Sequence, residues 1–302
     1  MTMLSHYTSR AGLEGILDTE TLWATNFLEL NDSSEFFFAW EALQRHAAAY
    51  LKARIPDDLK QGGNANDATL ACVMAEVRTA FASSAPNSGH LYVTSFARAG
   101  NEDQERRGIL TLWDRYTKFE GYCLQFLKRD IEHKLKLELT RGSYSSAGLA
   151  EVTYGLDETT SEFRILSRQL GEHWLLLAAR IIRDSRISPD YRNHWPESFL
   201  VRNIMEFCAR HKDPCFEDER EIRVFLYPAD RAEARVFTGI AGVKKIRTTP
   251  SGKRFLAVGE FWRPGIIPSR IIVGPKADPG IEGLLAKFNL PPVIAPSNLP
   301  IA

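Results

Sequence analysis

Two glutamates in the last third of the sequence, Glu219 and Glu221, have the residue types and spacing for acid–base chemistry. They lead into a run of β-branched and aromatic residues, which predicts a strand over Glu219–Tyr227. Alternate residues of a strand share a face, so both carboxylates and Arg223 would lie on one side, with same-face neighbours roughly 6.5–7 Å apart. The opposite face would then place three apolar side chains in the core, namely Ile222, Val224 and Leu226.

Two carboxylates held side by side repel each other, which favours the protonated form of one of them. Such a pair can divide acid, base and charge-stabilising roles near neutral pH. Reactions that develop positive charge on a sugar, such as cleavage of a glycosidic bond, need carboxylates of this kind. The alternative is that Glu219 and Glu221 have no catalytic role, because charged residues commonly occupy the solvated start of a strand.

A histidine near the start of the chain and a serine in a middle strand are the next candidates. Leu4–Ser9 reads as a short strand, and Thr8 or Ser9 can cap the helix marked by Leu13, Ile16 and Leu17. This order places His6 close to a helix N-terminus, which suits an anionic or hydroxyl-rich ligand. The alternative for His6 is a hydrogen-bonded strand residue. Gly89–Phe96 predicts another strand, with Ser95 near its end.

Aromatic and basic residues offer two further surfaces. A short helix over Ile109–Tyr116 would carry Trp113 and Tyr116 on one face, either in the core or as a platform for a flat ring. A hairpin over Gly242–Ala257, turning at Thr249–Gly252, would grip phosphates or form a solvated, protected edge strand. Its arms carry five cations: Lys244, Lys245, Arg247, Lys253 and Arg254.

The hydrophobic patterns along the rest of the chain predict further helices and strands, and together these indicate an α+β fold with a mostly antiparallel sheet. We interpret residues 1–302 as a single domain with helical insertions near 35–84 and 160–211. The predicted helices cover Glu35–Ala53, Ala68–Ala82, Glu162–Arg183, a segment beginning at Pro196, and Ile281–Phe288. The other predicted strands are Thr21–Asn26, Gly121–Phe126, Leu135–Leu139, Glu151–Tyr154 and Ile271–Pro275.

Composition describes an ordinary globular protein. The 302 residues are 44% apolar and 25% charged, with 38 basic and 38 acidic side chains. A formal net charge of zero argues against bulk electrostatic binding of nucleic acid, although a local basic stripe remains compatible with it. No apolar run has membrane-spanning length and the N-terminus lacks a secretion signal, so we expect a cytoplasmic protein without a membrane partner. The four cysteines lack zinc-site spacing, and no metal is expected.

Short motifs follow one another in one order along nearly the whole chain. They comprise His6–Ser9, Gly12, Leu13, Ile16, Leu22, Trp23, Asn31, Asp32, Glu35, Ser95, Phe96, Leu112, Trp113, Tyr116, Gly121–Phe126, Glu219, Glu221, Arg223 and Ile272–Pro275. Together they resemble the bacterial family catalogued as domain of unknown function 2971 (DUF2971). Ser33 stands where that family usually has proline, and Ala97 where it often has serine.

The order of an early His strand, a middle Ser strand and a late Glu-x-Glu strand is also similar to the three-part signature of ADP-ribosyltransferases. That resemblance implies a split, mostly antiparallel sheet that clamps NAD as the substrate. It implies that His6 binds a ribose hydroxyl, that Ser95 supports the late strand, and that Glu221 stabilises the cationic ribose. Glu219 would orient or deprotonate the acceptor.

The same resemblance implies further NAD contacts. Tyr7, Trp23, Trp113 and Tyr116 become candidates to stack on nicotinamide or adenine, with Thr8 beside Tyr7 in the cofactor-binding segment. Arg223 would bind pyrophosphate or hold Glu221 through a bidentate pair.

Two other functions remain open at this point. A non-catalytic module would bind NAD or ADP-ribose without releasing nicotinamide. A nucleic-acid-processing protein would use Lys244, Lys245 and Arg247, and its binding would weaken with salt. The acceptor of ADP-ribose would be a protein, RNA or DNA, and a toxin or phage-defence system is a possible setting.

Overall fold

The computed structural model describes residues 2–30, 34–54, 91–183, 198–229, 244–260, 265–278, 280–285 and 293–299. The strands are β1 (Met3–Thr8), β2 (Leu22–Asn26), β3 (Tyr92–Ala97), β4 (Tyr122–Leu127), β5 (Tyr144–Glu151), β6 (Thr153–Tyr154), β7 (His211–Lys212), β8 (Glu221–Pro228), β9 (Arg247–Thr248), β10 (Arg254–Val258), β11 (Arg270–Val273) and β12 (Val293–Pro296). The helices are α1 (Arg10–Thr19), α2 (Ser34–Arg54), α3 (Glu102–Arg107), α4 (Leu110–Leu112), α5 (Lys128–Thr140), α6 (Ser161–Arg183), α7 (Ser198–Arg210) and α8 (Glu282–Leu285). A π-helical turn covers Trp113–Thr117, and 3₁₀ turns cover Phe27–Glu29 and Pro214–Glu219.

The chain divides into two compact units. The first comprises Met1–Leu30, Tyr92–Val152 and Pro214–Ala302, and it contains the large sheet. The second comprises Asn31–Leu91 and Thr153–Asp213, and it contains α2, α6, α7 and the short β6–β7 pair. Both predicted insertions belong to the second unit, and the interpretation as one domain stays a prediction. The helix predicted over Ala68–Ala82 lies outside the described residues.

Ten strands of the described chain form one sheet in the first unit. Its main path runs β12-β11-β4-β1-β3-β2-β10-β9, while β8 pairs with both β3 and β5. Within this sheet β11 and β12 run parallel, and the other pairings are antiparallel. The predicted α+β class with a mostly antiparallel sheet is therefore confirmed.

One face of the sheet forms the main apolar core. Side chains from alternate strand positions, including Leu4, Phe96 and Leu124, pack there with residues of α1 and α5. The predicted inward set from β8, Ile222, Val224 and Leu226, belongs to the same cluster. Fully burying one such aliphatic side chain contributes roughly 1.5–3 kcal/mol, so this cluster fixes which residues of each strand face away from it.

A fork opens in the middle of the sheet along one edge of β3. On its other edge β3 pairs with β8 over the full length Tyr92–Ala97. On the fork edge, the register within the described residues joins β2 to β3 only at Tyr92 and Val93, and β1 to β3 only at Ala97. We use the name fork for the gap between these two pairings, alongside residues 94–96.

Two sequence predictions were wrong in ways that matter here. Leu135–Leu139 lies in α5 and is not a strand: Ile131, Leu135 and Glu138 are buried at helical spacing. Glu219 does not belong to β8, which begins at Glu221. The reason is Arg220, whose left-handed backbone (φ 45°) interrupts the regular alternation between the two glutamates.

Candidate functional site

Two side chains bridge the fork where backbone pairing stops. The imidazole Nδ1 of His6 donates to the carbonyl oxygen of Ser95 at 3.0 Å, and the Thr94 hydroxyl donates to the carbonyl oxygen of Trp23 at 2.6 Å. Burial lowers the pKa of His6, and the hydrogen bond to Ser95 opposes that shift only partly. A neutral imidazole that donates through Nδ1 keeps Nε2 as an acceptor, which can accept a hydrogen bond from a hydroxyl group.

Strand register determines which predicted site residues share a face. Ser95 lies opposite Arg223, and Ala97 lies opposite Glu221, so Ser95, Glu221 and Arg223 project from the face away from the main core. His6 lies opposite Leu124, and its ring contacts Phe96, both of which belong to that core. The structure thus brings serine, glutamate and arginine together, while the imidazole reaches β3 from the other face.

Glu221 and Arg223 form a buried ion pair on one strand. The Arg223 Nε donates to Glu221 Oε1 at 2.6 Å, and Nη2 donates to Oε2 at 2.9 Å. Their side chains are 5% and 1% exposed. Of the two roles implied for Arg223, holding Glu221 through a bidentate pair is the one observed.

Glu219 has a different environment at the end of the 3₁₀ turn. Its carboxylate is buried and its Oε1 accepts hydrogen bonds from Arg115 Nη1 and, at 3.3 Å, from the Tyr116 hydroxyl. Arg115 also lies over the ring of Phe216 at 4.9 Å from the centroid. The two glutamates are therefore held by two different arginines, one from β8 and one from the π-helical turn.

The predicted stacking residues Tyr7 and Trp113 hold that π-helical turn in place. Their rings meet edge to face at 5.0 Å, and the Tyr7 hydroxyl accepts a hydrogen bond from the Ile109 amide at 2.6 Å. The Trp113 indole N–H donates to the Arg107 carbonyl at 3.0 Å, and Trp113 is fully buried. Both aromatics therefore serve packing in this structure, whereas Tyr116 is 53% exposed.

The other two predicted NAD contacts, Thr8 and Trp23, lie on different strands. Thr8 ends β1, where it pairs with Tyr122 on the far side of β1 from β3. Trp23 lies on β2, half exposed, and stacks on Phe255 with 4.2 Å between the ring centroids. Trp23 is thus separated from the Tyr7–Trp113 pair by the fork.

The hairpin turn predicted at Thr249–Gly252 is confirmed and joins β9 to β10, while residues 242 and 243 of the predicted hairpin lie outside the described residues. Its cations differ in environment. Lys244 is buried, and its amine donates to Glu138 Oε1 at 2.6 Å and to the Ala257 carbonyl. A buried, paired amine does not present its charge to a phosphate, so the predicted nucleic-acid surface reduces to Lys245 and Arg247. Of these, Lys245 is exposed, and Arg247 forms an ion pair with Glu260.

Arg115 is a site residue that sequence reasoning did not identify. The glutamate it binds lies 104 positions further along the chain, and nothing in the sequence around Trp113–Tyr116 indicates that partner. The local signal is the aromatic pair that flanks it, Trp113 and Tyr116, for which the sequence predicts either core packing or a platform for a flat ring. Its partner in this ion pair, Glu219, is predicted as a site residue from its spacing to Glu221.

No group of three or more His, Cys, Asp or Glu side chains in the described part of the chain is arranged to hold a metal ion. Among those same residues, no helix combines the length and apolar character needed to cross a membrane. Comparisons with protein-family models, curated proteins and solved structures find no match for this chain. The resemblances to DUF2971 and to ADP-ribosyltransferases therefore stay predictions.

Proposed function

We propose that this chain binds NAD at the fork, cleaves the nicotinamide–ribose bond and transfers ADP-ribose to a macromolecular acceptor. The observation that carries the proposal is the gap beside residues 94–96, bridged by His6 and Thr94. A split sheet is what the ADP-ribosyltransferase resemblance implies for clamping NAD. The neutral imidazole at this gap supplies an acceptor for a ribose hydroxyl.

The reaction requires a carboxylate but no redox step. The electron pair of the glycosidic bond leaves with nicotinamide, which becomes neutral, and positive charge develops on the ribose. A nucleophile on the acceptor then bonds to the anomeric carbon and gives up its proton. Glu221 lies on β8, which pairs with the edge of β3 opposite the fork, and Glu219 immediately precedes β8. Electrostatic stabilisation by one well-placed group is typically worth about 3–4 kcal/mol.

A nucleotide-binding module without cleavage is the second candidate. One observation favours it: both oxygens of Glu221 are bound by Arg223 within hydrogen-bond distance. Each oxygen keeps a lone pair that could accept a further hydrogen bond, but Glu221 is only 5% exposed, so a ribose hydroxyl reaches it only after neighbouring side chains move. A module of this kind binds NAD or ADP-ribose and leaves the glycosidic bond intact.

A single experiment separates the two candidates. Purified chain is incubated with NAD labelled on adenine, alone and with crude protein, RNA or DNA, and free nicotinamide and transferred label are followed. NAD and ADP-ribose binding is measured in parallel by calorimetry. Release of nicotinamide supports the enzyme, and binding without release supports the module. Absence of both binding and release contradicts both candidates.

A further inference from the structure

The two glutamates differ in how they are held, although both are buried. Glu221 is bound on both oxygens by a planar guanidinium from its own strand, and Arg223 is itself 1% exposed. Breaking such a pair leaves a buried, uncompensated charge, so the Glu221–Arg223 ion pair is structural. Its position is fixed because both residues also pair with β3 through the β3–β8 ladder.

Glu219 is held from the solvent side. Two of its partners, Arg115 and Tyr116, are 37% and 53% exposed, respectively, and each of them donates to the same oxygen, Oε1. Partly exposed side chains exchange their contacts with water or a ligand at much lower cost than buried ones. Glu219 is therefore the acid whose surroundings can rearrange when a ligand arrives.

The backbone on either side of the Arg115–Glu219 contact also distinguishes Glu219 from Glu221. Arg115 and Tyr116 are neighbours in a π-helical turn, a conformation that is rare in proteins and frequent at functional sites. Arg220, which follows Glu219, adopts a left-handed conformation that is unfavourable for a residue with a side chain. Two unusual backbone segments thus meet at one carboxylate, Glu219.

We infer that Arg115 is a positioning residue for Glu219, and that Glu219 is the carboxylate that meets the ribose during nicotinamide release. This inference rests on the proposed function. It reverses the roles that the sequence resemblance implies, in which Glu221 stabilises the sugar. Tyr116, at the outer edge of the same carboxylate, is then displaced from it by the bound nucleotide.

The test compares kcat and KM for nicotinamide release in the full chain carrying Glu219→Gln, Arg115→Ala or Arg115→Lys. We expect Glu219→Gln to lower kcat by roughly 100-fold or more with little change in KM. Arg115→Ala should lower kcat, and Arg115→Lys should restore most of it, because a single N–H to one oxygen is the contact to be replaced. Glu217→Gln, an exposed acid on the same turn, is the matched control.

Melting temperature and near-UV circular dichroism establish that each variant is folded. If Glu219→Gln retains the wild-type kcat while Glu221→Gln loses it, the inference is overturned and the proposed function stands. An equal loss in the Lys and Ala variants at position 115 also overturns the positioning role. If the wild-type chain binds NAD but releases no nicotinamide, the proposed function fails, and the inference fails with it.

Discussion

A buried ion pair between Lys244 and Glu138 is the clearest feature at the scale of single residues. Both side chains are fully buried. The glutamate also accepts hydrogen bonds from the Tyr144 hydroxyl at 2.8 Å and the Gly259 amide at 3.0 Å. These contacts join α5 and the start of β5 to the end of β10. We therefore assign Lys244 a structural role, in place of the nucleic-acid contact predicted from the sequence.

Replacing Lys244 by Met should destabilise the protein by about 3–5 kcal/mol, because Glu138 would remain buried without its cation. Urea titrations of the wild type and the variant give the two free energies of unfolding, and their difference is the loss of stability. Lys245→Met, at the exposed neighbouring position, should change it by no more than about 0.5 kcal/mol. The double variant with Glu138→Gln should recover part of the loss. Equal effects of the two lysine substitutions would contradict the role of the pair.

Stability should also depend on pH through Lys244. Burial lowers the pKa of the folded amine from 10.5 to about 8, against the opposing effect of Glu138. Between those two values the unfolded chain binds a proton that the folded chain has lost, so the free energy of unfolding should rise with pH in that window. The difference between wild type and Lys244→Met isolates the effect. A difference that stays flat or falls would refute the assignment.

At the scale of elements, Tyr7 joins β1 to the π-helical turn through its ring contact with Trp113 and its hydrogen bond from the Ile109 amide. Replacing Tyr7 by Phe removes the acceptor of the Ile109 amide and should cost about 1–2 kcal/mol of stability. Hydrogen exchange at the Ile109 amide should become faster. Tyr122→Phe, which removes a comparable bond to the Asp278 carbonyl, is the control and should leave that amide unchanged. Unaltered exchange in Tyr7→Phe would show that packing alone holds the turn.

Local patterns predicted the elements well where one face is apolar. The strand over β1, a cap of α1 at Thr8 or Ser9, the β9–β10 hairpin and the inward set of β8 all follow from spacing and turn residues, and in the structure Ser9 is the cap. The strand predicted over Leu135–Leu139 was wrong, because the alternation of charged and apolar residues in this segment is also typical of a strand. In the structure it is the end of a helix whose buried Glu138 has a partner more than one hundred residues away.

The candidate site was harder to predict than its elements. Residue types identified His6, Ser95, Glu219 and Glu221, and strand alternation predicted that the two acids share a face, but neither showed how His6 and Ser95 lie relative to them. Strand register assigns Ser95 and Glu221 to one face, and the left-handed Arg220 separates the two acids. Long-range partners such as Arg115 have no local signal. They depend on packing between segments that are distant in sequence.

At the scale of the whole molecule, the fork is the feature on which the proposed function depends. It lies between strands that begin near residue 3 and residue 22, and it borders the strand that pairs with β8. His6→Ala removes one of its two bridges. We expect this variant to weaken NAD binding roughly tenfold, the effect of losing about 1.4 kcal/mol, as measured by calorimetry. Unchanged affinity would exclude the fork as the binding site.

Nicotinamide release from NAD by the purified wild-type chain tests the central claim most directly. The account predicts release that requires the chain and is lost in Glu219→Gln, with that variant folded as the wild type is. Binding of NAD without any release, or release that persists unchanged in Glu219→Gln and Glu221→Gln alike, would contradict it.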